Sequence, residues 1–268
     1  MIVEKIDRLS RERQFHDQWA SVIDLHEISI NAAFEGSTAP ENRFILTQLG
    51  DIKGKYLLDL GCGAGESSVY FARKGVRCVA CDYSTEMIRM SKKLAKLYDV
   101  EIETHIVNAE ELNFADNTFD IVYASNILHH VDAEKSLAEI YRVLKVGGTA
   151  CIWEPMRHNP IINIYRWIAS DVRTEDEHPL SIFFVDLVKR IFAEVTYETF
   201  WYATLWILLR FFLVERVNPN KERYWKKIIN EEKRLRSIYY RLEKFDRLFK
   251  SIPLIKRLGW TLAIVAKK

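Results

Sequence analysis

Cysteine is scarce in this 268-residue chain. The four present, Cys62, Cys78, Cys81 and Cys151, match neither the disulfide framework of a small secreted protein nor the paired CxxC spacing of a structural zinc site. Cys62, Cys81 and Cys151 fall in or beside strand-like runs and read as reduced, buried small residues of a cytosolic protein. Long apolar runs are missing too: none reaches the roughly 18 residues a membrane-spanning helix needs. The nearest, Phe200 to Leu209, is broken by Arg210. The opening MIVEKIDRLSRERQF has no apolar core and no small-residue cleavage site, which argues against a secretory leader. There is no internal repeat and no low-complexity tract. His158 and His178 lie near Glu175, Asp176 and Glu177, but without helical or loop spacing, so no metal is expected.

What remains is an ordinary globular composition, 49% hydrophobic and 28% charged, long enough for one large α/β domain with a sizeable insert. Short apolar runs predict strands at Tyr56–Leu60, Val76–Cys81, Ile102–Val107, Phe119–Ala124 and Thr149–Trp153, with later ones at Ala193–Phe200 and Trp260–Ala266. Helical patterns at Ser67–Lys74, Thr85–Tyr98 and Ala133–Leu144 alternate with the early strands, which implies βαβ units and a mainly parallel sheet. Ser84 and Asp132 are placed as N-caps, and Lys145-Val-Gly147-Gly148 as a helix stop with a tight turn into a strand. Helix spacing is also present around Phe44, Ile45 and Leu49. Charge is segregated. Thr204 to Leu258 holds fifteen Lys and Arg against six Asp and Glu, a local +9 on a body of −7. That segment is either a surface for an anionic partner or a solvated helix face. Leu235, Ile238, Leu242, Phe245, Phe249 and Ile252 form one apolar stripe on its second half.

Two motifs carry chemistry. Asp59-Leu-Gly61-Cys-Gly63-Ala-Gly65 follows a strand and opens a helix, where glycines let the backbone turn and approach a ligand and helix-terminal amides can face an anion. Asp82 ends the second strand, where a carboxylate can accept from both hydroxyls of a ribose. Both features suit nicotinamide and adenosyl cofactors alike. The Gly-x-Gly-x-Gly spacing, Asp59 just inside the loop, and the ordered segments Asn108-Ala-Glu-Glu-Leu-Asn-Phe114, Phe119 to His130 and Leu144-Lys-Val-Gly-Gly148 discriminate between them. A nicotinamide enzyme would also need a catalytic Tyr-Lys or similar set after the fourth strand, and there is none.

This set, over roughly residues 44 to 154, resembles the class I S-adenosylmethionine-dependent methyltransferases, and more closely the ubiquinone/menaquinone-biosynthesis branch. The resemblance implies a Rossmann-like, seven-stranded, mainly parallel sheet with an antiparallel last strand. Residues 1–50 are then an N-terminal helical lid, 51–203 with 259–268 the methyltransferase domain, and 204–258 a basic amphipathic insert beside the substrate mouth. It assigns Gly61, Gly63 and Gly65 to the methionine end of S-adenosylmethionine and Asp59 to the loop or the methionine ammonium. Asp82 takes the ribose, Tyr83 and Met87 the adenosine, and Asn108, Ala109 and Glu110 the adenine edge. Asn126 marks where the chain passes the sulfonium. The family often has Asp in place of Asn108, and Asn can still accept from the adenine amino group and donate to a ring nitrogen.

His129, His130 and Glu154 are the catalytic candidates, because only an acceptor protonated at working pH needs a base. A packing or positioning role for Leu128-His-His130 is equally open. His16 and Trp19 are placed on a lid helix or in plain helix packing. Asn-Pro-Pro-Tyr is absent after the fourth strand, which argues against amino methylation of adenine or glutamine. The expected partner is a small acceptor, lipophilic in character, with peripheral membrane contact through 204–258. An RNA or protein methyltransferase using the basic segment is the alternative, although no nucleic-acid-binding module is recognisable.

Overall fold

The computed structural model describes residues 2–173 and 177–268, and Thr174, Glu175 and Asp176 lie outside the described residues. Three helices come first: α1 (Ile2–Ala20), α2 (Ile30–Glu35) and α3 (Pro40–Leu49). The alternation expected from the sequence follows as β1 (Tyr56–Leu60), α4 (Glu66–Arg73), β2 (Arg77–Asp82), α5 (Thr85–Leu97), β3 (Glu103–Ile106), β4 (Phe119–Ser125), α6 (Ala133–Val143) and β5 (Leu144–Pro155). Local chemistry sets the boundaries. The Ser84 hydroxyl accepts from Met87 N at 3.1 Å to open α5, and Asp132 accepts from Lys135 N at 3.2 Å to open α6. After β5 come α7 (Pro160–Ile168), α8 (Phe184–Ile191) and β6 (Glu194–Phe200). Then α9 (Trp206–Leu213), α10 (Tyr224–Asn230), α11 (Glu232–Lys250) and α12 (Pro253–Lys256) lead to β7 (Thr261–Lys267).

The seven strands form one sheet in the order β3-β2-β1-β4-β5-β7-β6. β1 to β5 are parallel, and β7 runs antiparallel to both of its neighbours. Strand order reverses between β1 and β4, so a crevice opens at the carboxyl ends of those strands. One face of the sheet packs Leu137, Ile140, Val185 and Val188 from α6 and α8, and the other packs Phe34, Ile45, Val69 and Leu94 from α2 to α5. Among the described residues no helix is long and apolar enough to cross a membrane.

One local expectation holds and another gives way to longer-range packing. α6 stops at Val143, and after the Leu144–Phe119 pair Lys145 to Gly148 loop out of the β4 ladder, with Gly147 at φ 77°, before regular pairing resumes at Thr149. On α11 the apolar stripe is offset. Phe245 is 56% and Ile252 41% exposed, while Leu235, Tyr239 and Asp246 are buried. Asp246 is buried because it accepts from the backbone amides of Tyr202, Ala203 and Thr204 and from the Thr204 hydroxyl, at 2.6–3.3 Å. It thereby anchors the start of the segment after β6 to its last long helix. That segment shares a core with the main chain: Ile162 of α7 packs with Trp201, Leu208, Phe211, Tyr224 and Tyr239.

Candidate functional site

A cavity of about 870 Å³ occupies the crevice, roofed by α1 and by α10. Gly61, Gly63, Asp82, Tyr83, Asn108, Ala109, Asn126, His129 and His130 line it; Asp59, Gly65, Met87, Glu110 and Glu154 stand one layer behind. Each of those five has a physical reason to be there. Asp59 is fully buried and its Oδ2 accepts from the Ser68 hydroxyl at 2.6 Å, so it ties β1 to α4. Gly65 adopts φ 97°, and a Cβ there would lie 2.7 Å from Ser91 Cβ, so its smallness lets α4 sit against α5. Met87 packs with Ala20, Ala64 and Met90 under α1 rather than on the cavity surface. Glu110 accepts from Asp132 N at 3.1 Å and pairs with Arg8 of α1.

The loop itself also differs from expectation. The amides of Gly61 and Cys62 both donate to Cys81 O at 2.8 Å, and that of Gly65 to Cys62 O at 2.9 Å. These loop N–H groups therefore are not the anion donors. Glu66 and Ser67, in the first turn of α4 where amides have no intrahelical acceptor, line the cavity instead. Asp82 Oδ2 accepts from Gly63 N at 2.9 Å and Oδ1 from Ser84 N at 2.8 Å. Each oxygen keeps a second lone-pair direction, so the carboxylate is both fixed and able to take a diol.

A Cβ built on Gly63 meets nothing within 4 Å, so bare backbone faces the space next to Asp82. With Asn108 and Ala109 on the adjoining wall, the residues present fit a nucleoside carrying an amino-acid tail. The roof was not legible in advance beyond His16 and Trp19. Asp17 accepts from Ser84 Oγ at 2.5 Å and Glu86 N at 3.2 Å, and Arg13 donates to Thr85 Oγ1 at 2.8 Å, which clamps α1 across the start of α5. No periodic pattern marks those residues in the sequence.

At the end of β4 sits a buried polar cluster. Glu154 Oε1 accepts from the amides of Ile127 and Leu128 at 2.9 and 2.8 Å, and Oε2 contacts His129 Nδ1 at 2.6 Å. When Nδ1 donates to Glu154, Nε2 is the acceptor nitrogen of His129. Burial pushes the Glu154 carboxyl up to about 7 against the pull of those backbone hydrogen bonds, and burial with His130 beside it holds His129 well below its usual range. His130 lies 4.1 Å from His129 ring to ring, and its Nδ1 is 3.1 Å from Glu12. Burial lowers its pKa, but the Glu12 hydrogen bond and charge outweigh that and raise it. Two sets of donor atoms each lie within 4.8 Å of one another: Glu12, His16 and His130, and His129, His130 and Glu177. Chain-distant residues form both sets, so a search by sequence spacing does not find them.

Burial raises Asp59 to about 7 as well, from an ordinary 3.8, and Glu154 from 4.5. A raised carboxyl binds its proton more tightly in the folded than in the unfolded chain. Its contribution to stability is therefore complete below the ordinary value and is lost as pH rises through about 7. Melting temperature is thus expected to fall between about pH 4 and 7 and to level off above, and Asp59→Asn and Glu154→Gln to flatten that fall in differential scanning fluorimetry. Equal slopes in all three proteins would contradict the assignment.

A sheet of this order, with a glycine loop after β1 and a carboxylate at the tip of β2, defines a Rossmann-like nucleotide-binding protein. Comparison with known proteins narrows the class. The profile of a family described as methyltransferase domain matches residues 58–152. The chain is 41% identical over 110 residues to a demethylmenaquinone methyltransferase of Thermobifida fusca, covering 40% of this chain and 46% of that one. It is 30% identical over 161 residues to one from Streptomyces avermitilis, covering 56% and 68%. To a sterol 24-C-methyltransferase of Saccharomyces cerevisiae it is 28% identical over 190 residues, covering 67% and 49%. The chain thus spans about half the length of the first and third of these relatives. A crystal structure of an S-adenosylmethionine-dependent methyltransferase from Archaeoglobus fulgidus shares the fold at TM-score 0.56 and 19% identity, over 89% of this chain and 97% of that one. The chain belongs to the class I S-adenosylmethionine-dependent methyltransferases, in the ubiquinone/menaquinone-biosynthesis branch.

Proposed function

We propose that this chain transfers the methyl group of S-adenosylmethionine to an oxygen or carbon atom of a small lipophilic acceptor. One observation carries the reading: a single cavity joins the Gly63, Asp82 and Asn108 end to His129 and His130, and continues past them to Tyr165, Trp201 and Trp260. The bound cofactor supplies an activated methyl on a sulfonium. The chain's own task is to hold that group, align an acceptor behind the methyl and keep water out. In this reading Asp82 takes the ribose hydroxyls and Asn108 and Ala109 border the adenine. Asn126, held at φ 54° by its N–H bond to Trp153 O at 3.0 Å, flanks the reacting centre. His129, oriented by Glu154, removes the acceptor's proton through Nε2, and Glu154 is a positioning residue. Relatives named for demethylmenaquinone and sterol 24-C methylation support an apolar acceptor. Exposed Trp206, Phe212, Leu213 and Val214 on the basic segment support its seating at a lipid surface.

Asp82→Ala removes the diol acceptor and the brace on Gly63 together. Affinity for S-adenosylhomocysteine is expected to fall by about 1–3 kcal/mol in calorimetry. Unchanged affinity would remove the ribose assignment. The acceptor class is tested by incubating the protein with methyl-labelled S-adenosylmethionine and total cell extract. Label in the organic phase is expected, whereas label in RNA or protein would overturn the lipophilic reading and make the basic segment a macromolecular footprint.

A further inference from the structure

The His129 side of the cavity carries positive charge that no carboxylate among the described residues pairs at ion-pair distance. Arg166 of α7, and Arg223 and Lys226 at the start of α10, are half-buried and line it. Among the described residues no carboxylate lies within ion-pair distance of any of the three; the neighbouring Arg173 has taken Glu177. Arg166 makes its hydrogen bonds through Nη1, to Met156 O at 3.0 Å and Asn163 Oδ1 at 2.9 Å, and its buried Nε has no partner. The guanidinium of Arg223 lies 3.8 Å from the Trp19 ring centroid, and Lys226 Nζ lies 4.8 Å from the same centroid. Two cations thus share one aromatic platform without a direct ion pair, and the acids that act on them, Glu177 on Arg223 and Glu66 and Glu27 on Lys226, do so from beyond ion-pair distance. Desolvating unpaired cations costs free energy that a protein recovers when an anion arrives. Burial already pushes both guanidiniums down to about 10, a shift an anion would reverse.

The position assigns the anion to the acceptor rather than the cofactor. Arg166 and Arg173 act electrostatically on His129, and the Glu177 carboxylate acts on Arg166, Arg223 and His129 alike, which gathers the two arginines on the His129 side of the cavity. Apolar surface adjoins the cations, from Ile162, Trp201 and Trp260. We propose that Arg166 and Arg223 form a subsite for an oxyanion, a carboxylate or phosphate, carried by an amphiphilic methyl acceptor, with Lys226 beside Arg223 on the Trp19 ring. This rests on the methyl-transfer reading above and adds to it that the acceptor is an acid. The planar forks of two arginines suit the paired oxygens of such a group, and Trp19 keeps them in place while the cavity is open.

The test uses the full chain saturated with S-adenosylhomocysteine, so that the cofactor's own carboxylate is already housed. Calorimetry then compares dodecanoate and dodecyl phosphate with dodecanol, all below micellar concentrations, and with acetate and inorganic phosphate. The dodecyl acids are expected to bind at least about tenfold tighter than dodecanol, the scale of one charge-assisted hydrogen-bonded contact. R166Q and R223Q should each erase most of that preference while dodecanol affinity stays put, and R223K should keep more of it than R223Q. Dodecanol binding as tightly as the acids, or a preference unchanged in both glutamine variants, would overturn the subsite. Acetate or phosphate binding as tightly as its dodecyl form would overturn the amphiphile while upholding the oxyanion. Binding of S-adenosylhomocysteine itself is read first, so a failure of the methyltransferase reading is seen separately from a failure of the anion subsite.

Discussion

His129→Ala is expected to lower kcat by roughly 10²–10⁴-fold on the acceptor identified by labelling, the range a positioned general base contributes. Affinity for S-adenosylhomocysteine should stay within about threefold, because in the proposed reading His129 faces the acceptor and Asp82 and Asn108 hold the cofactor. The reasoning starts from burial. His129 is 6% exposed and its Nδ1 is taken by Glu154 at 2.6 Å, so the ring cannot rotate and Nε2 is its working nitrogen. Burial keeps that ring neutral at pH 7 and so able to accept a proton. Glu154→Gln tests the positioning role. An amide nitrogen facing Nδ1 selects the other tautomer, so kcat should fall while KM changes little. A packing role for the histidine would leave kcat within a few fold in both variants and show itself in the melting temperature alone.

Gly65→Val is expected to cost about 2–6 kcal/mol of folding free energy, the sum of a strained left-handed backbone and an overpacked contact. The built Cβ meets Ser91 Cβ at 2.7 Å and Ser91 Cα at 2.9 Å, and the second is backbone of α5 that cannot swing aside. Such a loss is a large part of the 5–15 kcal/mol typical of a domain, so the urea midpoint should drop markedly. Gly63→Ala is the control from the same loop. Its φ is 53°, but no atom lies within 4 Å of the new methyl, so it should retain most stability and weaken cofactor binding instead. If the two variants behaved alike in both assays, the division into a packing glycine and a ligand-facing glycine would be wrong.

The parts of this site readable from the chain are those written in local chemistry. Tyr56–Leu60 is an apolar run stopped by glycines, and it is a strand; Ser84 and Asp132 cap helices because a short polar side chain reaches back to an amide three residues on. The antiparallel last strand and the segment before it follow from the family's topology. What stayed hidden depends on distant partners. Glu154, expected just after the fifth strand, is the second-last residue of β5, and only the fold brings three donors to it. Asp246 interrupts the apolar stripe on α11, yet it is buried because four donors from the Tyr202–Thr204 turn arrive there. Arg8, Glu12 and Asp17 look like a solvated helix face until α1 is laid across the crevice, where each faces a residue some 67 to 118 positions away. That Arg166 and Arg223 have no carboxylate of the described residues within ion-pair distance is likewise visible only in space.

The most direct test of the central claim is the electron density of this protein crystallised with S-adenosylhomocysteine. The ribose hydroxyls are expected on Asp82, the adenine beside Asn108 and Ala109, and the thioether sulfur turned toward His129 and His130. Density that places the ribose away from Asp82, or turns the sulfur away from the two histidines, would contradict the account.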